Sequence, residues 1–221
     1  MFNQIHKALR ALLCETAQWM QQTDFWNVDE ATPVIERVYE VIEIFEKHAN
    51  TEDSLVFPAI VKFEPSVVDA FEKEHVKDHE LGELLASSLE GYERAAIITE
   101  KAAAAQQVQA AFMKFAAFNL EHMGKEEEII NPLLWRYYKD EELQAITRTI
   151  VSSIPPDHAA MVSKWMLRGM NNPEIASWLR EVERVAPEPV FQALFSTAER
   201  ELPEKRFRLV IEAMTGGAMV A

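Results

Sequence analysis

HMGKEEEIINPLL, residues 122–134, sets a histidine four residues ahead of the first of three glutamates and closes on an apolar pair and a proline. HANTEDSLVFPAI, residues 48–60, follows the same plan. Superposing His48 on His122 also pairs Glu52 with Glu126, Asp53 with Glu127, Leu55 with Ile129, Val56 with Ile130 and Pro58 with Pro132, at an offset of 74 residues. Another histidine precedes each copy at nearly equal distance: His6 lies 42 residues before His48, and His79 lies 43 before His122. Two helical hairpins, each with His on its first helix and His plus Glu on its second, could pair about a pseudo-twofold axis. The expected fold is all-α, an up-down four-helix bundle.

The rest of the chain supports helices. Only 6 of 221 residues are glycine, while Ala, Glu, Leu, Lys, Met and Gln abound, and these favour helices. Apolar residues at helical spacing predict a first helix from about Asn3 to Gln22, with Ile5, Leu9, Leu12, Leu13 and Trp19 inward. A second helix is expected with Pro33 in its first turn, a third from near Ser66 to about Thr99, and a fourth from near Ala102 to Tyr137 and Tyr138. No segment alternates with a two-residue period, so strands are not expected. From Lys139 the character changes: Asp157 and Asn172 read as N-caps of further helices, and the Gly pair at 216 and 217 as the stop of the last. The domain reading is therefore a bundle over 1–138 and a helical extension over 139–221.

Composition excludes several classes. A formal charge of -14 argues against phosphate-directed nucleic-acid binding, which needs a clustered basic surface. A single cysteine, Cys14, allows neither an intramolecular disulfide nor a multi-thiolate zinc site, and its place in the first helical pattern suggests a small buried hydrophobe. No run is apolar enough for a signal peptide or a membrane span, so the cytoplasm is the expected location.

The spacing carries chemistry. Residues four apart on a helix share a face, so His48 aims with Glu52, and His122 with Glu126. If both pairs face the bundle axis, two carboxylates meet several imidazoles in a dry interior. Buried carboxylates need positive compensation, and Lys and Arg are missing from the inner stripes. One or two metal ions would supply it. His75, one turn before His79 in EKEHVKDHELG, adds an imidazole. The set His6, His48, Glu52, His75, His79, His122 and Glu126 matches two metals bridged by both carboxylates: three histidines (75, 79, 122) on one, two (6, 48) on the other, with one open position. Imidazole plus carboxylate suits iron, manganese or zinc. His158, the sixth histidine, falls outside the pattern and reads as a solvated or a satisfied structural residue. Asp53, Glu127 and Glu128 read as a solvated face or as a second layer around the site.

This pattern (His6, HANTE, HVKDH, HMGKE) resembles the hemerythrin family of four-helix-bundle, oxo-bridged di-iron proteins and the related His-His-Glu cation-binding domains, over roughly residues 3–138. The resemblance implies iron as the metal, Glu52 and Glu126 as bridging carboxylates and the five histidines as terminal ligands. Oxygen carriers of the family place an Asp five residues after the last ligand His; here that position is Glu127, so Glu126 is preferred and Glu127 is the fallback. The implied function is binding or sensing of dioxygen or another diatomic ligand. The alternative is a di-iron enzyme acting on nitric oxide or peroxide, or in iron-sulfur cluster repair; the short stretch before His6, without cysteines, lowers the repair reading. A third reading gives the metal a structural role and the C-terminal helices a protein partner. Phe45, Phe118, Met123 and Ile129 are expected to exclude water from the centre.

Overall fold

Asn27 opens the second helix by capping it: its side chain accepts a hydrogen bond from the Asp29 N–H, satisfying a donor that the first helical turn leaves open. The helix therefore begins at Val28, and Pro33 lies inside it rather than in its first turn. The computed structural model describes residues 2–216, and all regular structure among them is helical. The helices are α1 (Asn3–Gln22), α2 (Val28–Thr51), α3 (Phe57–Ile60), α4 (Pro65–Arg94), α5 (Ile98–Lys125), α6 (Asn131–Tyr137), α7 (Asp140–Ser153), α8 (Pro156–Gly169), α9 (Asn172–Val185), α10 (Glu188–Glu201) and α11 (Glu204–Met214). Pro65 begins α4, where its missing N–H costs nothing. That helix ends at Arg94, short of the expected Thr99, and α5 starts at Ile98.

The repeat seen in the sequence is also a repeat of backbone irregularity. Glu52–Val56 and Glu126–Ile130 each form one π-helical turn, closed by hydrogen bonds from the Phe57 N–H to the Glu52 carbonyl and from the Asn131 N–H to the Glu126 carbonyl. Pro58 and Pro132 follow directly, at the start of α3 and α6. A proline cannot donate to the carbonyl four residues back, and its ring collides with it. Passing one widened turn before the proline relieves that conflict. Single π turns of this kind concentrate at functional sites.

The chain divides into two units: residues 1–2 with 13–153, and residues 3–12 with 154–221. In the first, α4 packs along α5 and α2 against α4. The later part of α1 meets both α5, where the Gln109 amide donates to the Met20 carbonyl, and α2, where the Arg37 guanidinium lies over the Trp19 ring. Below the π turns, Phe2, Val56, Phe57, Ile60, Val68, Phe71, Ile130 and Leu134 form an apolar cluster, against which Leu143 and Ile150 of α7 pack. Helix α7 thus belongs with the first unit, although the change of character at Lys139 suggests otherwise. Cys14 is exposed, while the neighbouring Leu12 and Leu13 are buried; the apolar stripe turns past it.

The second unit has its own core of Leu167, Met170, Ile175, Ala176, Leu179, Ala198, Leu202 and Val210, with Trp165 also buried, as the Trp, Met and Leu spacing of this region suggests. Asn171, one residue before the expected cap, closes a reciprocal capping box with Glu174. Pro155 occupies the cap of α8, so Asp157 lies inside its first turn. Gly216 follows α11 with φ 62°; Gly217 lies outside the described residues.

Candidate metal centre

The two π turns start on the two glutamates of the repeat. Glu52 closes the α2 end and Glu126 the α5 end, and both are buried, at 2% and 0% exposure. Facing them, α4 contributes His75 and α5 contributes His122, also buried. One ligand atom from each of Glu52, His75, His122 and Glu126 fits within a mutual distance of 4.8 Å. His75 Nε2 lies 3.1 Å from His122 Nε2 and 3.4 Å from Glu52 Oε2. His122 Nε2 lies 3.3 Å from Glu126 Oε1, and His48 Nε2 lies 3.1 Å from Glu52 Oε1. Donors bonded to a common ion at about 2.0–2.2 Å sit about 3.0–3.4 Å apart. The observed separations are of that size.

The far side of each central ring explains why its Nε2 points inward. His75 Nδ1 is 2.7 Å from Asp53 Oδ1, and His122 Nδ1 is 2.8 Å from Glu74 Oε2. An ionised carboxylate only accepts hydrogen bonds, so each Nδ1 acts as the donor to its carboxylate and each ring turns its Nε2 inward. Two imidazole Nε2 atoms and two carboxylates then converge on one buried point. Without a cation this arrangement repels itself. Burial, and after it the Glu126 charge, push the Glu52 carboxyl well above the usual carboxylate range, with His122 opposing. Burial would lower His122, but its hydrogen bond with Glu126, the Glu126 charge and the Glu74 hydrogen bond raise it overall. Both directions mean that the site gathers positive charge, as protons when nothing else is bound. Nitrogen and carboxylate donors without sulfur suit a divalent iron, manganese or zinc ion, so the residues fit a metal.

Aromatic rings dry the pocket. Phe57 stacks on His75 (centroids 5.2 Å apart, planes 16°), Phe118 stacks on His122 (6.0 Å, 9°), and Phe71 tilts against His122 at 5.8 Å. Of the four residues expected to exclude water, Phe45 and Met123 are buried and Phe118 is in place, but Ile129 is 42% exposed. A cavity of about 710 Å³, lined in part by Ile42, Asp53, Glu72, His75, His79 and Phe115, opens between α2 and α4 and reaches His75.

Of the histidines expected as ligands, His79 is not brought to this cluster. Its side chain is 64% exposed and its Nε2 lies 3.4 Å from Glu83 Oε1, one turn along the same helix. The inner stripe of α4 runs Phe71, His75, Asp78, Gly82, Leu85, Leu89, in steps of four and three. Position 79 lies about 40° beyond His75, on the outer side of that stripe. Asp78 takes the inward place and accepts a hydrogen bond from the Asn119 amide; burial, opposed by that bond, raises its carboxyl. His6 is fully buried on α1, in the 3–12 stretch that belongs to the second unit. His158 is buried in the second unit rather than solvated. Of the two carboxylates on the central rings, Asp53 on His75 takes the place around the site that the sequence offers it, whereas Glu74 on His122 is not singled out in the sequence. Glu74 stands next to His75 and Asp53 next to Glu52, and that adjacency to a ligand was the available signal.

A family model described as the Hemerythrin HHE cation binding domain matches residues 1–134. The chain belongs to the hemerythrin HHE cation-binding family. Among curated proteins, F-box/LRR-repeat protein 5 of Salmo salar is 25% identical over 146 residues, covering 66% of this chain and 20% of that protein. The Mus musculus and Xenopus laevis proteins of the same name are 21% and 20% identical, covering 68% and 69% of this chain and 21% and 22% of their own lengths. The HHE chain thus spans about a fifth of the length of the curated relatives it matches. No solved structure matches it significantly. Family and geometry agree on a cation-binding domain whose His and Glu side chains can hold metal.

Proposed function

We propose that the centre holds two iron ions within an up-down four-helix bundle of α1, α2, α4 and α5, and that it binds or senses dioxygen or a similar diatomic ligand. Glu52, Glu126, His48, His75 and His122 would hold the ions. His79 is left out of this set because of its exposure. The observation that carries the proposal is the convergence of the His75 and His122 Nε2 atoms, 3.1 Å apart, between two buried carboxylates. Helix pairing around α2, α4, α5 and the later part of α1 supports the bundle.

A ferrous pair at this point would supply electrons to a diatomic ligand. The chain's own residues would do the rest. Asp53 and Glu74 hold the imidazoles, and Phe57, Phe71 and Phe118 keep water from the inner face. The cavity ending on His75 admits a small molecule without opening the core. Anaerobic reconstitution with ferrous iron, metal counting, then an oxygen titration followed by absorbance tests the proposal. Two irons per chain and reversible, oxygen-dependent charge-transfer bands are expected. Catalytic turnover of nitric oxide or peroxide would move the reading to an enzyme. Zinc retained without a redox response would leave a structural metal.

A further inference from the structure

We infer that Asp53 and Glu74 are positioning residues for the metal: each accepts a hydrogen bond from Nδ1 of one central histidine, which fixes that ring's tautomer and turns its Nε2 toward the ligand cluster. The inference rests on the metal-binding reading and adds residues that the repeat does not contain as ligands. Each central imidazole receives its carboxylate from a different helical segment. Asp53, in the first π turn, reaches across to His75 on α4; Glu74, on α4, reaches across to His122 on α5. Because Glu74 and His75 are consecutive, α4 both supplies one ligand and orients the other.

The two holds differ in construction. Glu74 is also gripped by Lys125, 3.0 Å away, and Lys125 lies 3.0 Å from Glu121. Hydrogen bonds from His122 and then Lys125 outweigh burial and keep the Glu74 carboxyl below the ordinary range. Asp53 is 42% exposed and borders the cavity that leads to His75. Free imidazole prefers the proton on Nε2, the tautomer that cannot bind a metal through that atom. Carboxylates on Nδ1 reverse this preference and raise the basicity of the opposite nitrogen.

The experiment uses the full chain without metal, labelled with nitrogen-15, at a pH where the rings are neutral. Long-range nitrogen–proton spectra should show His75 and His122 as Nδ1–H tautomers. Asp53→Ala should return His75 alone toward the Nε2–H form, and Glu74→Ala should do so for His122 alone. Asp53→Asn and Glu74→Gln, which keep an acceptor oxygen, should preserve the tautomers and serve as folded controls. Ferrous iron affinity, measured anaerobically by chelator competition, should fall about 10- to 100-fold in the alanine variants. Unchanged tautomers in the alanine variants, or iron affinity equal to that of the parent chain, would overturn the inference. The spectra need no metal: if the parent chain shows both Nδ1–H tautomers yet binds no iron, the metal reading fails while the positioning stands.

Discussion

Glu52→Gln separates the two things that Glu52 does. Glu52 and Glu126 are both buried, and their ligand oxygens lie within 4.8 Å. Two full charges at that distance repel by about 3.5 kcal/mol at an effective dielectric constant near 20. The metal-free chain escapes part of this by keeping a proton on Glu52, whose carboxyl is pushed well up by burial and then by Glu126. A carboxyl raised in the folded state leaves the native chain holding more protons than the unfolded one. Stability therefore falls as pH rises from the unfolded carboxylate value toward the folded one, by at most about 1.4 kcal/mol per pH unit. The amide keeps the shape and removes the charge. Metal-free Glu52→Gln should match the parent chain near pH 4.5 and surpass it increasingly toward neutrality, with relief of the Glu126 repulsion alone contributing about 3 kcal/mol. At about 2–4 °C per kcal/mol for a chain of this size, that contribution corresponds to a rise in Tm of about 10 °C. Saturating ferrous iron should reverse the order, since the variant lacks one of the carboxylates that could hold metal. Thermal melts at four or five pH values, with and without iron, read both effects. Parallel pH curves for the two metal-free chains, or a variant less stable at neutral pH, would refute the picture of two carboxylates forced together at one point.

The other predictions concern single positions. His122→Ala should lose at least one iron per chain on metal counting, whereas His79→Ala and His158→Ala should keep the full complement; equal loss in all three would count against the assignment. Gly169→Ala should destabilise the second unit by about 1–3 kcal/mol in chemical denaturation, because a Cβ there would stand 2.2 Å from the Lys7 carbonyl oxygen, with backbone rather than a flexible side chain in the way. Burial would raise Glu201, but hydrogen bonds from Arg168 outweigh it and hold its carboxyl low. That contribution is complete above the unfolded carboxylate value and is lost as pH falls through the folded one. Arg168→Met should therefore flatten the acid side of the stability profile and lower the plateau at neutral pH.

The helices and the ligand pairs were legible because both depend on spacing within one element. Four residues bring His to Glu on a single face, whether or not any partner is known, and 74 residues bring one such face to its copy. His79, placed by spacing alone, lies outside the cluster. Being four residues from His75 is compatible with either edge of an inward stripe, and only the steps Phe71, His75, Asp78, Gly82, Leu85 show which edge α4 uses. Pro33 announced a helix start, but Asn27 supplied a better cap one turn and a half earlier. Asp53 reads in the sequence only as a solvated or surrounding acid and Glu74 carries no stated task, since their partners lie on other helices and no within-helix period links them.

The π-helical turns carry a consequence for length. Each lodges one residue more than an α-helix would hold in the same span, starting on a buried glutamate. Removing one residue from 53–56 would let the backbone relax into a regular α-helix and leave Phe57 onward facing as before. What would change is the widened turn itself: the carboxylate at 53 would be lost or turned away from His75. The surplus residue is thus a spacer set into the helix, and both halves of the molecule keep theirs at the same place.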